Sequence, residues 1–202
     1  DPDIFRRVTG HDRLAEILGG VKACIEAGYD AVKINAVMIK GVNDHALPDF
    51  MALARHNPVS LRFIELMETG ESKDYFAKHH YSADIFRTRL LAQGWHLTPR
   101  ALESGPAEVY AHEDYVGTIG LIAPYSKDFC KGCNRLRVTA TGDLRLCLFG
   151  DFGVPLRNLL QSDDQKPELL ALIRKQLTYK ASTHFLADGN TGLTPNLASI
   201  GG

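Results

Sequence analysis

Three of the four cysteines, Cys130, Cys133 and Cys147, stand at the spacing Cys-x2-Cys-x13-Cys, while Cys24 stands apart. Thiolates are soft ligands that select zinc or iron–sulfur clusters. Cysteines gathered this way in a chain of this size read as a metal site rather than a disulfide framework. The turn residues Thr141-Gly142-Asp143 predict a hairpin that returns Cys147 beside Cys133. Structural zinc asks for four protein ligands, and this segment offers three, so zinc would need His112 or His184 from elsewhere. Three cysteines also suit a 4Fe-4S cluster with one iron left open for a ligand. Three small side chains packed in a core is the remaining reading. Cys24, three residues after Val21 on a helical face, reads as packing.

Two guanidiniums stand beside the cysteines. Arg135 and Arg137 alternate along a strand and so share a face. Together they form an anion clamp, because Arg grips phosphate in a bidentate way; a solvated strand face is the alternative. Far upstream, the strand around residues 31–38 places Lys33 and Asn35 on one face and Val32, Ile34 and Ala36 on the other. Arg62 repeats that polar placement on the next strand, with Glu65 on the opposite parity. Strands in α/β proteins are mostly apolar on both faces, so these residues predict a polar lumen or ligand pocket. An internal Lys/Arg–Glu ion pair is the alternative. Met67 and Glu68 close the second strand at its C-terminal end, where βα folds place ligands.

The elements that must position these residues follow from periodicity. Leu14, Ile17, Leu18, Val21 and Ile25 keep helical spacing, with Asp12 as the expected cap and Gly28 just past the end. A strand over 31–38, a turn at Gly41-Val42-Asn43-Asp44 and a helix opened by Pro48 come next. A second strand over 60–67, a polar loop and a helix over 82–93 complete a strand–helix–strand–helix order, which predicts parallel βα units. After residue 105 the pattern changes to short β segments at hairpin spacing (108–112, 116–123, 136–139 and 144–148). Two short helices are expected over 154–161 and 167–178, followed by an irregular tail over 187–202. The domain boundary is expected near Ser104-Gly105-Pro106.

Composition narrows the classes. The 202 residues are 45% hydrophobic and 23% charged, which is enough to bury a core. With 23 Lys+Arg against 24 Asp+Glu, the net charge of −1 excludes a nucleic-acid binder driven by bulk basic charge. No apolar run approaches the roughly 18–20 residues of a membrane span. No signal peptide is recognisable either. Reduced thiolates then point to the cytoplasm. The chain opens on Asp1-Pro2 rather than Met, and reads as a fragment or as numbering that begins inside a longer protein.

The motif Cys130-x2-Cys133-Asn134-Arg135-Leu136-Arg137, with Cys147-Leu148-Phe149-Gly150, resembles the C-terminal cluster motif of the molybdenum cofactor biosynthesis protein A family, the GTP 3′,8-cyclases. Residues 32–37, the run from Leu61 to Gly70 and the terminal Gly201-Gly202 resemble the same family. The resemblance implies an α/β fold: the second half of an incomplete (β/α) barrel over 1–105, then a small α+β domain over 106–202 carrying an iron–sulfur cluster. It implies radical S-adenosylmethionine chemistry that rearranges GTP to (8S)-3′,8-cyclo-7,8-dihydroguanosine triphosphate, the first step of molybdopterin formation. A first 4Fe-4S cluster on an N-terminal Cys-x3-Cys-x2-Cys motif starts that chemistry in the family. The motif is not in this sequence, so the chain alone is expected to be inactive.

Carried over residue by residue, the resemblance makes Cys130, Cys133 and Cys147 ligands of a second 4Fe-4S cluster whose open iron binds guanine. It makes Arg135, Arg137, Lys33 and Arg62 contacts of GTP, and places Met67 beside S-adenosylmethionine. Gly201 and Gly202 match a tail that reaches the active site and are the one candidate for a catalytic role. The implied partners are GTP, S-adenosylmethionine, the N-terminal half of the same protein and a downstream cyclic pyranopterin monophosphate synthase. Open barrel edges also invite a homodimer. A zinc-stabilised binding module and another radical S-adenosylmethionine enzyme are the rival readings.

Overall fold

The computed structural model describes residues 1–99, 105–127, 129–131, 133–150, 153–192 and 194–197. The chain divides into two compact units, Asp1–Leu66 with Ala77–Ala123, and Met67–Phe76 with the described residues from Pro124 onward.

The first unit begins with helix α1 (Pro2–Thr9), capped by the Asp1 carboxylate, which accepts from the amides of Asp3 and Ile4. Helix α2 (Leu14–Glu26) starts one residue later than a cap at Asp12 requires. Arg13 occupies the cap position without a side-chain cap and pairs with Glu16 instead. No residue of α2 is buried; Val21 and Ile25 touch the core, whereas Ile17 and Leu18 stay 48% and 43% exposed. Strand β1 (Val32–Met38) leads through a turn that Asn43 holds by donating to Val37 O and accepting from Ile39 N. Helix α3 (Leu47–His56), with Pro48 in its first turn, then delivers the chain to β2 (Val59–Glu65).

β1 and β2 pair in parallel, as the alternating pattern predicts. After α4 (Lys73–His79), which forms where a polar loop was expected, come α5 (Ala83–Ala92), capped by Ser82, and β3 (His96–Leu97). Strands β4 (Glu108–Ala111) and β5 (Thr118–Ile122) form the expected antiparallel hairpin. β5 also pairs in parallel with β2, so the sheet runs β1-β2-β5-β4-β3 and is mixed. Phe63 on β2 centres the core, 5.3 Å from the Phe50 ring and 4.7 Å from that of Phe86. Leu61, Leu90, Ile119 and Leu121 close around it.

The second unit holds the antiparallel strands β6 (Arg137–Val138), β7 (Asp143–Arg145) and β8 (Val154–Pro155). The β6–β7 turn rests on Asp143, whose carboxylate accepts from Thr139 and Thr141 and whose amide donates to Thr139 Oγ1. Gly142 supplies the positive φ of 85° that the turn needs. The helix expected over 154–161 is replaced by β8 and a single 3-10 turn at Arg157–Leu159. Val154 pairs with Leu144, and Pro155 tolerates an edge position because no amide is needed there. Helix α6 (Lys166–Leu177) lies where helical spacing placed it.

Candidate functional site

In the second unit, Cys130 and Cys133 belong to one tight turn, in which the Cys133 amide donates to Cys130 O at 3.1 Å. Cys130 and Cys147 are half-buried, Cys133 is exposed, and all three thiols are free. The β6–β7 ladder ends at the pair Arg137–Arg145, two residues before Cys147. Arg137 sits where the two cysteine segments meet electrostatically. Burial pushes its guanidinium below the usual arginine value and the charge of Arg135 pushes the same way; Cys147 and Cys133 oppose both. Among the described residues no three His, Cys, Asp or Glu side chains converge as a metal-binding group. The hairpin therefore brings Cys133 and Cys147 to one guanidinium without the three-thiol convergence expected from the turn. The donor set nevertheless fits an iron–sulfur cluster, since three free soft thiols are available and two of them, Cys133 and Cys147, lie within electrostatic reach of Arg137.

The histidines considered as a fourth ligand are otherwise engaged. His184 donates from Nε2 to Pro124 O at 2.9 Å and accepts at Nδ1 from the Leu186 amide at 3.1 Å, which uses both ring nitrogens. Its ring centroid lies 5.9 Å from that of Phe129 and 5.8 Å from that of Phe149. His112 lies in the first unit, stacked near Trp95 and Tyr115, and accepts from the Asp114 amide. Burial lowers the pKa of His184 from its ordinary 6.5. The unfolded chain then binds a proton that the folded one refuses, so this contribution to stability is present above pH 6.5 and is lost as pH falls through the depressed folded value. Urea unfolding at pH 7.5 and pH 5.5 is expected to show that loss, and His184→Gln is expected to flatten it; an equal slope in the variant would refute the assignment.

In the first unit, Asn35 and Arg62 are register partners and Lys33 pairs with Ser60, so all of them share one face of the sheet. Lys33 is exposed and Arg62 half-buried. The next position of that row is Gly120, where a Cβ would lie 3.1 Å from Arg62 Cγ. A glycine there leaves room for the arginine to lie along the sheet. Arg62 Nε is buried with no hydrogen-bond partner among the described residues, an orphan donor of the kind that a ligand satisfies. Glu65 does not pair with these cations; its buried carboxylate meets His80 Nε2 at 2.9 Å on the opposite face. The Lys/Arg–Glu ion pair, the alternative to a ligand pocket here, is thus absent among the described residues. A cavity of about 540 Å³ in the same unit is lined by Met51, Arg55, Trp95, His112 and Tyr115 and includes none of the cysteines or expected GTP contacts.

Met67 is half-buried and follows the end of β2 by two residues. Gly201 and Gly202 lie outside the described residues. Sequence reasoning missed Lys180 and Thr194, whose side chains hold the main chain around Cys147 and Arg135. No motif spacing marks either one, because they reach the hairpin only through folding.

Together these features define a mixed α/β protein with a cationic sheet face and a small β unit that carries thiols and guanidiniums. Residues 59–186 match the family described as Molybdenum Cofactor Synthesis C, and the chain belongs to that family. It is 59% identical over 198 residues to the GTP 3′,8-cyclase of Stenotrophomonas maltophilia (strain R551-3), covering 98% of this chain and 61% of that relative. It is 53% identical over 202 residues to the GTP 3′,8-cyclase of Vibrio parahaemolyticus serotype O3:K6 (strain RIMD 2210633), covering 100% of this chain and 60% of the relative. To the GTP 3′,8-cyclase of Yersinia pestis it is 52% identical over 202 residues, covering 100% and 62%. The chain spans about 60% of the length of the curated relatives it matches.

Proposed function

We propose that this chain is part of a GTP 3′,8-cyclase, a lyase that rearranges GTP with S-adenosylmethionine in molybdenum cofactor synthesis. Identity of 59% and 53% to relatives of that name, over nearly the whole chain, is the observation that carries this reading. Free thiols at Cys130, Cys133 and Cys147, with Cys133 and Cys147 near Arg137, support the finer assignment, in which they would hold a 4Fe-4S cluster. Such a cluster, when bound, supplies an open iron that anchors the guanine base.

The chain's own residues do the rest. Arg135 and Arg137 neutralise and orient the nucleotide beside the thiols, where guanidinium forks match phosphate oxygens. Lys33 and Arg62 supply positive charge on the sheet face, and the orphan Nε of Arg62 is a donor ready for an acceptor on the ligand. A preorganised cation pays no reorganisation cost when substrate charge arrives. Met67 contacts S-adenosylmethionine through packing or main chain. The cysteine-bearing domain over 106–202 and the barrel half over 1–105 belong to this reading, as does cytoplasmic residence. No helix among the described residues is long and apolar enough to cross a membrane.

Anaerobic purification of the complete protein, followed by iron, sulfide and zinc analysis and GTP titration, tests the proposal. About four irons with matching sulfide assigned to these three cysteines, together with GTP binding, is the expected result. One zinc per chain and no GTP binding would establish the binding-module alternative.

A further inference from the structure

We infer that Lys180 is a positioning residue for the cysteine–arginine hairpin, acting with Thr194; the inference rests on the cluster and GTP reading above. Lys180 lies three residues past the end of α6, and its half-buried Nζ donates to Arg135 O at 2.8 Å and to Leu146 O at 2.6 Å. One ammonium thus ties Arg135, two residues before β6, to the residue just before Cys147. The opposite side of Cys147 is tied as well. Thr194, 1% exposed, donates its hydroxyl to Leu148 O at 2.7 Å and accepts from Arg145 Nη1 at 3.2 Å. Both peptide carbonyls that flank Cys147 are therefore held by side chains from segments remote in sequence.

This arrangement answers a geometric need. The backbone ladder ends at Arg137–Arg145, so nothing in the sheet sets the separation between Arg135 and the Cys147 segment. A charged donor on two carbonyls makes stronger bonds than a neutral one, and those bonds replace the missing rungs. Among the described residues no carboxylate lies within ion-pair distance of Lys180. Its bonding is thus spent on this main chain. The consequence is that Lys180 sets where the Cys147 thiol and the Arg135 guanidinium stand, without touching substrate itself.

The test compares wild type, Lys180→Met, Lys180→Arg and Thr194→Val in the complete protein. Methionine keeps much of the stem and removes the donors, whereas arginine keeps donors at a similar reach. In the metal-free protein, Lys180→Met, which removes both hydrogen bonds, is expected to raise the iodoacetamide alkylation rate of Cys147 relative to Cys24 by about tenfold. Lys180→Arg is expected to restore most of the wild-type rate, and Thr194→Val to shift it in the same direction as methionine. After anaerobic reconstitution, Lys180→Met is expected to alter the electron paramagnetic resonance spectrum of the second cluster and to raise the GTP Kd by about tenfold. A Cys147 alkylation rate within twofold of wild type, or a lowered Tm with unchanged alkylation, would overturn the inference. If the wild-type protein takes up no iron at these cysteines, the cluster reading fails, and the alkylation ratio still decides the role of Lys180.

Discussion

Cys147→Ser in the complete protein is expected to remove about four irons per chain, with the matching sulfide, while cleavage of S-adenosylmethionine survives. Cys130 and Cys133 share one turn, so Cys147 is the sole thiol offered from the second segment. Two thiols from one turn cannot replace it, and a serine hydroxyl is a hard, protonated donor that soft iron–sulfur centres select against. The fold is expected to tolerate the change to within about 1 kcal/mol. Cys147 is half-buried, and the carbonyls on either side keep their bonds to Lys180 and Thr194. Iron and sulfide analysis beside an assay of S-adenosylmethionine cleavage separates the outcomes. Unchanged iron content in the serine variant would sink the assignment of Cys147 as a ligand.

Arg137→Ala is expected to weaken GTP binding far more than it weakens folding. Arg137 is half-buried, and both its burial and the neighbouring charge of Arg135 act against its charged form. A cation held against those two effects contributes little to folding, so its loss is expected to leave Tm within a few degrees of wild type. Binding is different, because a charge-assisted hydrogen bond to phosphate is worth about 1.5–3 kcal/mol, or roughly 10- to 150-fold in Kd. Isothermal titration with GTP and thermal unfolding on the same preparations give the comparison. Equal affinities for wild type and variant would remove Arg137 from the nucleotide site.

Legibility varied across the molecule for physical reasons. β1, β2 and α3 followed from local signals: period-2 alternation and Pro48 in a first turn. The shared face of Lys33 and Arg62 was also legible, because strand parity and a parallel register place Asn35 opposite Arg62. β8 was not, because Val154 becomes strand by pairing with Leu144, a partner that helical spacing does not reveal. Nor was the exposure of Ile17 and Leu18 on α2, whose apolar stripe is wider than the core it meets.

By itself, the sequence determined the donor chemistry and the local elements. Three thiols at close spacing, two alternating arginines and a polar side of the first strands are properties of residue type and short-range order, which do not need a folded partner to be read. The tertiary structure alone decided how those groups are held. It engaged both nitrogens of His184 with main chain, inserted β5 beside β2, cleared space for Arg62 at Gly120 and placed Lys180 and Thr194 on the two sides of Cys147. Each of these depends on contacts between residues far apart in the chain, whose loop-closure cost is met only when the whole unit folds.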